Sequence, residues 1–178
     1  MCKKTTEIRT KSEQLPDDPE GNFIIDTIIN YYNKELGYSQ GFERCAAEIV
    51  QMMDSNFRNI ELTRPTRDGG RDAIAEYHVG PVAHPIKLDC FIEAKCHRNG
   101  IGVKETSRLI SRIKNRQFGI MVTTSYVDNQ AYQEIIEDGH PIIILSGRDI
   151  SDILRKNGIG KAEIKNWLIN LSNTCCTE

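Results

Sequence analysis

The stretch Ile86-Lys87-Leu88-Asp89-Cys90-Phe91-Ile92-Glu93-Ala94-Lys95-Cys96 decides how this chain folds. Successive side chains of an extended strand point to opposite faces, so these residues sort into two sets. Leu88, Cys90, Ile92, Ala94 and Cys96 are all apolar or small and form one set. Asp89, Phe91, Glu93 and Lys95 form the other. One face is therefore expected to pack on a core while Glu93 and Lys95 project together from the opposite face. On the N-terminal side, Gly80-Pro81 and His84-Pro85 make a hinge. Beyond it, Ala73 to Tyr77 and Ile60 to Arg64 read as a pair of strands. On the C-terminal side come a helix over Val103 to Lys114 and a nearly all-apolar strand over Gly119 to Thr124. A helix over Asn129 to Asp138 and a second apolar strand over Pro141 to Leu145 follow, closed by helices over Arg148 to Lys156 and Lys161 to Leu171.

Two more helices precede these elements. Phe42, Cys45, Ala46, Ile49, Val50 and Met53 recur at helical spacing between Gly41 and Met53, with Glu43 on the flank of the stripe. From Asn22 to Leu36 the apolar residues Phe23, Ile24, Ile25, Ile28, Ile29 and Tyr32 do the same, with Gly37 as the stop. This order of elements predicts an α/β fold: a mixed central sheet flanked by helices, with an extra N-terminal helix. Residues 1–20 are polar, carry Pro16 and Pro19, show no periodicity, and are expected to form a flexible arm. Residues 21–40 are then an accessory helix, residues 41–156 the main domain, and residues 157–178 a C-terminal helix and tail.

The 178 residues suffice for one domain with a full core. With 39% hydrophobic and 27% charged residues, the composition is that of a globular protein, and no apolar run is long enough to span a bilayer. The segment from Met1 to Thr10 lacks the apolar core of a secretion signal, so the expected location is cytoplasmic. The six cysteines show no regular framework, and Cys90, Cys96 and His97 lack the spacing of a zinc knuckle. They read as small buried thiols. A net charge of −2 argues against a generally sticky nucleic-acid binder. The distribution says more than the sum. Between Lys95 and Arg116 lie Lys95, Arg98, Lys104, Arg108, Arg112, Lys114 and Arg116, opposed only by Glu105. A basic face beside acidic residues is what a phosphodiester substrate requires.

The chemistry-bearing candidates are Asp68-Gly69-Gly70-Arg71-Asp72 and Glu93-Ala94-Lys95. Asp72 and Glu93 are oxygen donors able to share a hard divalent cation, with Lys95 beside the water that such a cation activates. Each also has a plainer reading. The first stretch makes a good hairpin turn, with Asp68 and Asp72 as solvated loop acids. Glu93 and Lys95 can be an exposed cross-strand ion pair on an edge strand. Their apolar neighbours Phe91, Cys90 and Ile92 place them in a central-looking segment, where buried charges need partners or a metal. Glu43 is either an ordinary helix-face acid or a third acid of the site. The basic helix is either a solvated face or a phosphate-binding one, with Lys104, Ser107, Arg108 and Arg112 as the candidate DNA contacts. The Gly100-Ile101-Gly102 turn offers it helix N-terminal amides, and Thr123, Thr124 and Ser125 are candidates to line the same groove. His78, His84, His97 and His140 form no catalytic set, and no phosphate-binding loop or dinucleotide fingerprint is present.

Taken in order, Gly41-Phe42-Glu43, Asp68 to Asp72, Glu93-Ala94-Lys95, Gly102-Val103-Lys104, and Val122 to Ser125 with Ala131 resemble the Mrr-like catalytic domain. That domain belongs to the PD-(D/E)xK restriction endonuclease superfamily, and the resemblance covers roughly residues 41 to 150. It implies a restriction-endonuclease-like αβα sandwich and a Mg²⁺-dependent endodeoxyribonuclease, the cleavage domain of a restriction enzyme, leaving 5′-phosphates on double-stranded DNA. Asp72 would be the first metal ligand and Glu93 the second, helped by the Ala94 carbonyl. Lys95 would orient or activate the attacking water, and Glu43 would be the helix acid of this branch. Many such domains carry Gln where this chain has Glu93, so a normal metal site is expected. A repair or junction nuclease of the same superfamily, or a catalytically inactive DNA-binding module, are the alternatives. Two-strand cutting implies a homodimer by symmetry, and base recognition is expected from loops, a partner or a separate recognition domain.

Overall fold

The computed structural model describes residues 8–34, 41–63, 72–114, 116–137 and 139–173. The elements run α1 (Lys11–Gln14), α2 (Pro19–Lys34), α3 (Phe42–Met53), β1 (Phe57–Leu62), β2 (Ala73–Val79), β3 (Ile86–Lys95), α4 (Val103–Ile110), β4 (Gln117–Thr123), α5 (Asn129–Glu137), β5 (Ile142–Leu145), α6 (Gly147–Lys156) and α7 (Ile164–Asn173). The five strands stand in sequence order, β1-β2-β3-β4-β5. The β1/β2 and β2/β3 pairs are antiparallel; β3/β4 and β4/β5 are parallel. The mixed sheet with helices on both faces is thus the expected one. Boundaries differ at two places that matter. β1 begins at Phe57 rather than Ile60, and α4 stops at Ile110, short of Lys114. The proposed turn residue Asp68 and the proposed stop Gly37 lie outside the described residues.

β3 is the centre of this arrangement because both of its faces are covered. Cys90, Ile92 and Ala94 join α2, α3, α6 and α7 in one core, with Ile24, Ile28, Cys45, Ile49, Ile150, Ile164 and Leu168 fully buried. Phe91 belongs to a second core with Leu109, Met121, Ala131, Tyr132 and Ile135 under α4 and α5. Glu93 thus lies on the face opposite Cys90, Ile92 and Ala94, as the alternation predicts, but that face is covered as well. Parallel pairing of β3 with β4 demands a crossover, and α4 supplies it by lying on that face. Glu93 ends up only 1% exposed. The accessory helix α2 is likewise part of the main core, since Ile24 and Ile28 pack with the sheet and with α6 and α7.

The polar arm is corrected where it is described. Thr10 caps α1 through a reciprocal capping box with Glu13. Gln14 is completely buried. Its Nε2 donates to the Arg9 and Val127 carbonyls at 3.1 and 3.0 Å, and its Oε1 accepts from Val127 N–H at 2.9 Å. Arg9 pairs with Asp149 at 2.9 Å, and Asp18 with Arg155 at 3.2 Å. Composition hid this because the segment is anchored by polar contacts to the backbone, which leave no hydrophobic periodicity. Replacing Gln14 by Ala should cost about 2 kcal/mol, because it strips buried Val127 backbone groups of their partner. Urea unfolding at constant m-value measures it, and an unchanged midpoint would show that this segment does not hold the fold.

Candidate active site

Asp72, Glu93 and Lys95 come together at the end of the sheet where β2 starts and β3 finishes. Asp72 precedes the first residue of β2, and its N–H donates to the Ile92 carbonyl at 3.2 Å. That bond fixes its backbone against β3. Its Oδ2 accepts from the Ala94 N–H at 2.6 Å. The Lys95 ammonium lies 2.7 Å from Glu93 Oε1, 3.1 Å from the Ala94 carbonyl oxygen and 3.6 Å from Asp72 Oδ2. Residues from two strands thus surround one cationic atom with three oxygens.

The electrostatics of the cluster follow from its burial. Burial raises the Asp72 carboxyl above its usual range. The Ala94 amide and Lys95 pull it back, while the Glu93 charge adds to the rise. Glu43, in the first turn of α3, is half-buried and its pKa is pushed up to about 7. Desolvation is the main cause, the Asp72 charge adds to it, Lys95 opposes it and Glu93 raises it slightly further. Glu43 is therefore electrostatically part of the same cluster. Among the described residues, no group of three His, Cys, Asp or Glu side chains could hold a metal ion. The residues expected to act as ligands are two carboxylates and one peptide carbonyl. All are hard oxygen donors, and they already converge on a single positive charge, so this donor set fits a hard cation such as Mg²⁺.

The basic segment divides. Lys104, Ser107 and Arg108 are exposed on α4, as a phosphate-binding face requires. Arg112 is turned inward: its Nη1 lies 3.0 Å from Glu93 Oε2, and the side chain is only 14% exposed. Arg112, expected as a DNA contact, thus has its guanidinium against a buried carboxylate rather than on the outer face of the helix. Sequence reasoning missed this role although a signal was there. Thr106 and Leu109 are buried on α4, and Arg112 falls at the next three-residue step, on the inward side. A cation on a buried stripe needs an anion. Thr123, Thr124 and Ser125 are also buried rather than lining a groove. Thr124 Oγ1 accepts from His97 N–H and donates to the His97 carbonyl, at 3.0 and 2.9 Å, and Ser125 Oγ donates to the Arg98 carbonyl at 3.0 Å. They fasten the loop that leaves Lys95. Cys45, Cys90 and Cys96 are free, buried thiols raised by desolvation.

The sequence model of the restriction endonuclease family Mrr_cat matches residues 38–154. Two solved structures are similar. One, the DNA modification-dependent restriction endonuclease AspBHI, is 43% identical with a TM-score of 0.85, over 98% of this chain and 45% of that one. The other, the MspJI restriction endonuclease in complex with a 27-mer oligonucleotide, is 20% identical with a TM-score of 0.81, over 95% of this chain and 39% of that one. The second likeness is one of fold. This chain spans less than half the length of either. No curated protein sequence matches it. Among the described residues, no helix is long and apolar enough to cross a membrane.

The raised Glu43 carboxyl makes a stability prediction whose sign is fixed by linkage. The folded state holds the proton up to about pH 7, against 4.5 for an ordinary glutamate. Ionising Glu43 therefore removes stability as pH climbs through that window. In EDTA, Glu43→Gln should match the wild type at pH 4.5 and exceed it at pH 8, read from urea midpoints. A gap that does not widen with pH would show that Glu43 is not desolvated in the cluster.

Proposed function

From the premise that this chain belongs to the Mrr_cat family of restriction endonuclease domains, we propose that it is a Mg²⁺-dependent endodeoxyribonuclease that hydrolyses phosphodiester bonds of double-stranded DNA. The observation that carries the reading is the meeting of Asp72, Glu93 and Lys95, with the Lys95 ammonium 2.7 Å from one carboxylate and 3.6 Å from the other. Membership supplies the reaction class; this geometry supports an intact rather than a degenerate site. The 43% identical AspBHI is a DNA modification-dependent enzyme, which favours duplexes carrying modified bases as the substrate here.

The roles then follow from position. The Asp72 and Glu93 carboxylates and the Ala94 carbonyl would hold Mg²⁺. Bound there, the ion supplies a water of lowered pKa and polarises a phosphate oxygen. Asp72 is held by the Ala94 amide through Oδ2, which leaves Oδ1 for a ligand. Lys95, rigid at the end of a central strand, places positive charge where the phosphate gains negative charge in the transition state. Glu43, half-buried beside Asp72, would add a third carboxyl group next to the ion. Exposed Lys104 and Arg108 grip the sugar–phosphate backbone, which contributes affinity and register without reading sequence.

The test is cleavage of methylated and unmethylated plasmid DNA with Mg²⁺ and with EDTA. Nicking or linearisation that needs the ion is expected, greater on modified DNA. Lys95→Ala should lower the rate by about 10²-fold or more and, because buried Glu93 loses one of its two cations, also lower stability by a few kcal/mol while keeping a cooperative unfolding transition, so that its cutting is read at a temperature where it is folded. Unimpaired cutting by that variant would remove Lys95 from the chemistry, and ion-independent cutting would overturn the mechanism.

A further inference from the structure

We propose that Arg112 is a positioning residue of this site: it holds one oxygen of Glu93 so that the other is presented toward Asp72 and Lys95. The proposal rests on the nuclease reading above and deepens it. The two oxygens of Glu93 have separate cationic partners, Lys95 at 2.7 Å on Oε1 and Arg112 at 3.0 Å on Oε2. Glu93 is 1% exposed, so both contacts are shielded from water and are far more directional than a surface pair.

The backbone at Glu93 is held on one side by pairing with Met121 of β4 and on the other by the bonds of Asp72 to its neighbours Ile92 and Ala94. Its side-chain torsions are the remaining freedom. With Arg112 gone, Oε2 loses its cation and the carboxylate can rotate onto Lys95 through both oxygens, which would withdraw the oxygen a metal needs. Arg112 is suited to the task because its chain position and its burial agree. Thr106 and Leu109 are completely or almost completely buried, and Arg112 follows at the same spacing in the turn after α4. The exposed basic residues Lys104, Arg108 and Lys114 belong to the outer side. The crossover that α4 makes between β3 and β4 thus carries outward cations for backbone phosphates and one inward cation for the buried carboxylate.

Three measurements on Arg112→Met and Arg112→Lys test this. Anisotropy with a short duplex in EDTA reads DNA affinity, single-turnover cleavage at saturating duplex and Mg²⁺ reads the chemical step, and thermal unfolding reads the contact itself. Arg112→Met should bind duplex within about twofold of wild type yet cut about 10- to 100-fold more slowly at saturation, with Arg112→Lys recovering part of the rate. In unfolding, Arg112→Met should lower Tm clearly in the Glu93 background and much less in a Glu93→Gln background, because an uncharged amide of the same shape needs no cation. Weakened duplex binding with a normal rate at saturation would make Arg112 a phosphate contact and overturn the proposal. An equal loss of Tm in both backgrounds would overturn it too. A wild type that cuts under no divalent ion sinks the nuclease reading, and the unfolding cycle still decides whether Arg112 acts through Glu93.

Discussion

A carboxylate removed from water on the central strand of a sheet is the constraint around which this protein is organised. Glu93 is nearly inaccessible and is held between Lys95 and Arg112. An unpaired carboxylate in that position would cost several kcal/mol, so the fold has to deliver cations to both of its oxygens. Lys95 comes from the same strand two residues on. Arg112 requires the whole crossover: β3 pairs in parallel with β4, α4 covers the intervening face, and the turn after α4 brings the guanidinium back under the strand. Site geometry and sheet topology are therefore one requirement.

The same economy runs through the periphery. α3 packs its apolar stripe on the opposite face of β3 and leaves Glu43 at the sheet end, where its carboxyl is half-desolvated beside Asp72. The N-terminal segment crosses to the far side of the sheet and ties α5, β5 and α6 together through Arg9, while Gln14 completes the backbone pairing of Val127. Val127 in turn bridges Ile101 in parallel, just ahead of α4. A polar segment thereby supports the loop from which the basic helix starts.

Much of this was legible in the sequence because it is written in periodicity. The two-residue alternation of β3, the unbroken apolar run at Gly119 to Thr124 and the helical stripe of Phe42, Cys45, Ile49 and Val50 each follow directly from burial on one face or both. Asp72, Glu93 and Lys95 were legible as a set because carboxylates and a lysine among apolar strand residues have few stable uses. What the sequence did not disclose depends on tertiary pairing. Arg112 sits in a run of basic residues, and only the partner across the helix shows that it faces inward. Gln14 buries an amide against backbone groups more than a hundred residues away, which leaves no local pattern. Thr124 and Ser125 read as groove-lining residues, and only their bonds to His97 and Arg98 show them fastening a loop instead.

The central claim is that Asp72 and Glu93 form a single oxygen-lined site for a divalent cation. Calorimetric titration of the protein with Mn²⁺, in the absence of DNA, tests it most directly when repeated on Asp72→Asn, which keeps the side-chain shape and an acceptor for the Ala94 amide. The account predicts one binding site in the wild type and its loss in an otherwise normally folded variant. Identical titration curves for the two proteins would contradict it.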